Sequence, residues 1–335
     1  MHLILSVPGL SWLDTHDGGE VARELSLPAL TTLLGRGTLD LAERPLSALI
    51  GQPFGLDGLP LASVAAALDG LDTRERHCLL ADPVTWRIDR DRALLADAGV
   101  MRLDQAEADA LVAALNQHFA ADDLQFHAPT PSRWYLSLPE PVQAHCYSLP
   151  DVVGENVDDF LPQGPDALRL GRLLNEVQML LFTHPVNEAR EARGEPRVNS
   201  LWLWGSGALP ALHTPPLLYS DDPWQCLLAR QCQTESQSVP WTFAAWLESA
   251  PRDNEVWVQL DRLQGPAQYR DAWGWREQVQ QLEQDWFAPL LQALRTGQLR
   301  QLTLLSCGER SLQVRIRRVD LWKFWRRPRA LTSLY

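Results

Sequence analysis

Residues 184–207 read HPVNEAREARGEPRVNSLWLWGSG, and the interpretation of this stretch decides the rest of the chain. It predicts a helix stopped at His184-Pro185 and then a loop rich in guanidinium and amide groups. A strand, NSLWLW, follows and delivers Trp204-Gly205-Ser206-Gly207 at its carboxyl end. In open α/β sheets that edge is where ligands bind, and glycines there let backbone N–H groups approach an anion. Arg190 and Arg193 supply fixed cationic forks, Asn187 and Asn199 short amides. His184, Trp204, Ser206 and, from the expected strand RWYLSL, Arg133 complete a candidate anion-binding set. A second reading fits the same letters. In it HPVN stops a helix, the arginines pair with Glu188, Glu191 and Glu195, and the tryptophans are core.

Working outward, the preceding helix has Leu168, Leu173, Leu174, Val177, Leu180 and Leu181 on one face. After it come helices at DDPWQCLLARQC and VPWTFAAWLES, a strand EVWVQL, a long helix over 269–296 and a strand RQLTLLS. That alternation predicts an α/β fold with a mostly parallel sheet flanked by helices. Upstream, HLILSV reads as a buried first strand, with helices at LSLPALTTLLGRG and LPLASVAAALDG. Residues 75–165 differ in texture. Two strands joined at Asp89-Arg90-Asp91, an amphipathic helix opening on Asp104 and two further strands predict a smaller inserted α+β domain with a Pro-rich return. The expected organisation is 1–74 plus 166–319 as the main domain, 75–165 as the insertion and 320–335 as a basic, Trp-rich tail.

The 335 residues are 45% hydrophobic and 21% charged, a globular profile with no run long enough to span a bilayer. MHLILSVPGL lacks a basic leader, so a cytoplasmic protein without membrane contact is expected. Five cysteines with no CxxC pair point to buried thiols rather than a disulfide framework. Trp241, Trp246 and Trp286 fall on apolar faces and are expected in the core. From Arg310 onward eight cations face one acid, a net +7 within a total of −12, which leaves −19 elsewhere. Arg317, Arg318, Trp322, Lys323, Trp325, Arg326 and Arg327 are therefore candidates for docking an acidic protein or single-stranded nucleic acid. The alternative is that the tail folds back on the acidic body. Asp82, Asp89, Asp91 and Asp97 straddle the expected hairpin without EF-hand spacing and read as exposed turn carboxylates. Gly205-Ser206-Gly207 is no GxSxG elbow.

The stretch LLNEVQMLLFTHPVNEAREARGEPRVNSLWLWGSG resembles the LN…HPVN…R…G…N…WLWG segment of the archaeal-type cofactor-independent phosphoglycerate mutases, in the alkaline phosphatase superfamily. Weaker likenesses run in the same order at LPALTTLLGRG, FGLDGLPLASVAAALDGLD and HCLLADPVTWRID. The resemblance implies an alkaline-phosphatase-like α/β domain interrupted by a smaller α+β domain. It also implies two divalent metals, held by Asp and His at strand ends, and a nucleophilic serine. Each position fails that pattern here. Pro8 stands where the first carboxylate belongs, Ser47 lacks the neighbouring Asp, Asp261 is followed four residues on by Gly265, and the last pair is Ser306-Cys307. His213 is the last histidine. The expectation is a degenerate member with no catalytic residues, no metal and no other cofactor, binding a small anionic metabolite or a protein; the alternatives are a scaffold docking through the basic aromatic tail and an active metal-dependent mutase or phosphatase.

Overall fold

A computed structural model describes residues 1–72, 76–89, 92–251 and 254–335. Along the chain the strands are β1 (His2–Ser6), β2 (Thr38–Arg44), β3 (His77–Asp89), β4 (Arg92–Ala96), β5 (Gln125–Thr130) and β6 (Arg133–Leu138). Then come β7 (Ser200–Trp204), β8 (Leu217–Tyr219), β9 (Glu255–Gln259), β10 (Gln301–Leu305) and β11 (Gly308–Arg317). The chain divides into two compact units, Met1–Gly58 with Leu212–Tyr335, and Leu59–Ala211.

The first unit is an α/β layer built on a sheet of order β2-β11-β10-β1-β9-β8. β1 pairs in parallel with β10 and β9, and β8 runs parallel to β9, while β11 and β2 extend the edge antiparallel. Leu3, Leu5 and Val7, alternate residues on one face, are inaccessible, while on the other face His2 and Ile4 are half-buried and Ser6 is buried. Helix Pro28–Arg36 buries Ala29, Leu30, Leu33 and Leu34, the face its spacing predicted. The long helix predicted over 269–296 is three pieces. Ala272–Leu282 passes through a π-helical turn, Glu283–Phe287, into Ala288–Thr296. The Glu283 carboxylate there accepts Ala29 N at 2.6 Å and Leu30 N at 3.0 Å, two of the donors that the first turn of helix Pro28–Arg36 cannot satisfy itself.

The second unit packs helices Gln105–His118 and Ala167–Phe182 into one apolar cluster with a sheet of order β4-β3-β6-β5, onto which β7 also pairs. Four expectations change here. β7 is antiparallel to β3, with Leu80 opposite Trp204 and Val84 opposite Ser200, so it is no part of the parallel sheet. Leu201 and Leu203 fill this unit's core, and the unit therefore runs well beyond 75–165 on both sides. Phe182 ends one helix, and Pro185 opens another, Pro185–Ala192, where a loop was predicted. Leu168, placed on the buried face by spacing, is 67% exposed. No helix among the described residues is long and apolar enough to cross a membrane.

Trp246 and Trp286 are core, but Trp241 is not. It is 66% exposed, with the Arg262 guanidinium 3.6 Å from its ring centroid. The C-terminal residues close on the first unit. Leu331 and Leu334 join its core, and the Tyr335 hydroxyl accepts Trp12 N.

Candidate functional site

The carboxyl edge of the parallel sheet lies in the first unit, so that is where topology puts a ligand site. β1 runs out through Ser6 and Val7 into Pro8 and Gly9, β10 into Ser306 and Cys307, β9 toward Asp261, and β8 toward Ser220 and Asp222. Gly9 adopts φ +78°, and a Cβ there would stand 2.7 Å from Leu263 O, so this turn requires glycine. The polar groups bind one another. Ser11 Oγ and Ser306 Oγ are 3.0 Å apart, Ser306 Oγ also accepts Leu312 N, and Ser6 Oγ donates to Gln259 Oε1 at 3.3 Å. Ser47, the serine nearest the nucleophile position, is buried in helix Leu46–Gly51.

Two acids remain at this edge. Asp222 caps helix Pro223–Gln231, its Oδ1 accepting Trp224 N at 3.0 Å and Gln225 N at 2.8 Å. Burial nevertheless lifts its carboxyl to about 6 against those two donors. Asp261 is lifted to about 7, first by burial and then by the charge of Asp222, and its Oδ1 has no hydrogen-bond partner among the described residues. Each carboxyl of such a pair therefore gives up its proton less readily than an exposed one. Among the described residues no three His, Cys, Asp or Glu side chains form a metal-binding group.

The residues singled out in 184–207 lie in the second unit, and most are occupied by protein. His184 Nδ1 accepts Val186 N at 3.2 Å and so caps its helix. Asn187 is inaccessible, donates to Leu181 O (2.8 Å) and Val198 O (2.7 Å) and accepts Val198 N (2.9 Å). Asn199 extends the ladder to β3 by accepting Trp86 N and donating to Trp86 O. Arg190, fully buried, donates to Glu107 (2.5 Å), Pro196 O (2.8 Å) and Met101 O. Arg193 bridges Glu107 and Glu195, and Arg197 pairs with Glu191.

Two centres result. Arg190 and Arg193 meet on Glu107. Trp204 bonds to Asp82, on which the charge of Arg133 also acts, a residue that sequence reasoning placed among exposed turn acids. Asp82 is 1% exposed in the middle of β3, accepts Trp204 Nε1 (2.8 Å) and Trp134 N (3.1 Å), and is lifted by burial to about 7. The available signal was its setting, Leu79-Leu80-Ala81 before it and Pro83-Val84 after it. Arg133 grips Asp69 with Nε and Nη2 at 2.7 and 2.6 Å, and the Tyr135 hydroxyl donates to the same carboxylate at 2.6 Å. Ser206 is half-buried beyond β7. Of the other acids considered, Asp97 caps helix Ala98–Met101, whereas Asp91 and the Asp89 side chain lie outside the described residues.

In the tail, Asp320 accepts Arg317 N and pairs with Lys323, Arg326 Nη1 donates to Gly37 O, and Arg318 and Arg327 are exposed. Trp322 and Trp325 are also exposed, as is Phe324 between them.

Residues 71–187 match the family model described as 2,3-bisphosphoglycerate-independent phosphoglycerate mutase. The chain is a homologue of these mutases. The Methanosarcina mazei mutase is 28% identical over 137 residues, 39% of this chain and 34% of that protein. The Methanosarcina acetivorans mutase is 28% identical over 204 residues, 57% of this chain and 51% of that protein. The chain thus spans between a third and about half of these curated relatives. Among solved structures, the cofactor-independent phosphoglycerate mutase of Thermoplasma acidophilum superposes with TM-score 0.47 at 17% identity, covering 99% of this chain and 94% of that one.

Proposed function

We propose that this chain is a non-catalytic homologue of the cofactor-independent phosphoglycerate mutases that acts by binding, either a small anionic metabolite or a protein partner. The observation that carries this reading is the chemistry of the sheet's carboxyl edge. Pro8 and Ser306-Cys307 occupy strand ends where the resemblance calls for Asp and His, and residues 214–335 contain no histidine. Burial holds the carboxyls of Asp222 and Asp261 at this edge above their usual range. This donor set does not fit a two-metal clamp, which needs several ionised oxygens and neutral imidazoles around each ion.

The test is direct. The purified chain is assayed for phosphoglycerate mutase activity with added Mn²⁺, and its metal content is measured. The expected result is no turnover above background and no stoichiometric metal. Turnover that depends on Mn²⁺ and is lost in Asp261→Asn would reverse the reading.

A further inference from the structure

The basic tail forms a feature that neither the family resemblance nor the sheet edge accounts for. It is fastened at both ends, upstream by β11 in the sheet and downstream by the buried Leu331 and Leu334. Between these anchors it lies directly on the end of helix Pro28–Arg36. A Cβ at Gly35 would fall 2.2 Å from Arg327 O, so only glycine lets the strands of chain meet there. Arg326 Nη1 donates to Gly37 O at 3.0 Å, and Arg329 N donates to Thr31 O at 2.9 Å.

The approach leaves an open groove of about 620 Å³, within the range of small-molecule sites. It is lined by Arg326, Arg327 and Arg329 and by Gly35, Gly37 and Thr38, with no carboxylate among the described lining residues. The nearby acids are engaged elsewhere, Asp320 with Lys323 and Arg317 N, and Asp40 acting on Arg44. Arg326 Nη1 is taken by Arg36 O and Gly37 O, but Arg327 and Arg329 have no ion pair among the described residues, so a phosphate in the groove would meet guanidiniums that no carboxylate neutralises. One phosphate group engages one or two forks, and this groove is larger and more highly charged than that.

We propose that this groove binds a small ligand carrying two or more phosphate groups. The proposal rests on the first unit alone and is independent of whether catalysis has been lost.

Tripolyphosphate is the probe, titrated calorimetrically into the full chain at low and at moderate salt. The expected result is one site per chain, weakened as salt rises. Arg327→Ala with Arg329→Ala, whose side chains are exposed and outside the tail's anchors, should weaken binding at least tenfold while leaving the unliganded melting temperature unchanged. Arg169→Ala, an exposed arginine of the second unit, should bind as the parent does. 3-Phosphoglycerate, with one phosphate, should bind at least tenfold more weakly than tripolyphosphate. The proposal fails if tripolyphosphate shows no binding at millimolar concentration, if the double variant binds unchanged, or if the two probes bind equally. It fails also if a single-stranded oligonucleotide binds and tripolyphosphate does not, which would mark a nucleic-acid contact.

Discussion

Arg190→Ala separates the two readings of HPVNEAREARG. If Arg190 serves a ligand, its loss removes binding and leaves the fold intact. The geometry instead makes it a structural strut. The guanidinium is fully buried, and its three nitrogens reach Glu107, Pro196 O and Met101 O, tying helix Pro185–Ala192 to the start of helix Gln105–His118. Removing one member of a buried, hydrogen-bonded charge pair typically costs about 3–5 kcal/mol. Glu107 keeps Arg193 Nη2 at 2.6 Å and Asp104 N at 3.3 Å, so its carboxylate is not orphaned and the lower end of that range applies. A loss of about 3 kcal/mol shifts the folding equilibrium on the order of 100-fold, a large part of a domain's usual 5–15 kcal/mol. Urea denaturation followed by tryptophan emission reads it, since Trp134 and Trp204 are inaccessible in this unit. Arg193→Ala is the control. Its side chain is half-exposed, so water screens its ion pairs and its loss should leave the denaturation midpoint close to the parent's. An Arg190→Ala chain as stable as the parent that has lost affinity for a small anion would refute the structural argument.

Two further outcomes follow from buried carboxyl groups. Glu283→Ala strips the acceptor from Ala29 N and Leu30 N and should cost about 1–3 kcal/mol, with faster amide exchange at those two residues; unchanged exchange would show that the π-helical turn has no capping role. Asp222 and Asp261 have folded values raised to about 6 and about 7, above the unfolded carboxyl range. Their contribution is fully present below about pH 4 and is lost as pH rises through 6 and 7. Asp261→Asn should therefore flatten the fall in the urea midpoint between pH 5 and 8 relative to the parent, and an identical slope would mean the pair is ionised throughout.

The elements legible in advance were those whose buried face is apolar. β1, β9, β10 and helix Pro28–Arg36 follow hydrophobic spacing because water exclusion alone selects their inward residues. Helix Pro185–Ala192 escaped because its inward residues are Asn187 and Arg190. Their partners lie up to 89 positions away, and no local periodicity encodes a polar group satisfied at that distance. The same limit hid Asp82, whose donors come from Trp134 and Trp204. The all-buried pattern of β7 was read correctly as a strand, but pattern does not say which sheet a strand joins. Trp241 left the expected core because Arg262, on the turn after β9, offers its ring a cation at the surface. In the tail, Leu331, Leu334 and Tyr335 follow helical spacing and mark the return to the core, a signal overshadowed by the Trp/Arg run before them.

The location of the family likeness bears on what it says about activity. The match over 71–187 falls within the second unit, and the signature residues there make contacts that hold that unit together: Asn187 across 181–198, Arg190 to Glu107, Trp204 to Asp82. The strand ends that would carry phosphoryl transfer belong to the first unit. Selection on folding is sufficient to hold the first set in place, because each substitution would leave a buried polar group unmatched at a cost of about 1–3 kcal/mol or more. Exchanging an Asp or His at a strand end for Pro, Ser or Cys carries no such penalty, since it removes charge from a crowded edge. The presence of HPVN…WLWG is therefore evidence about the stability of one unit, not about chemistry in the other.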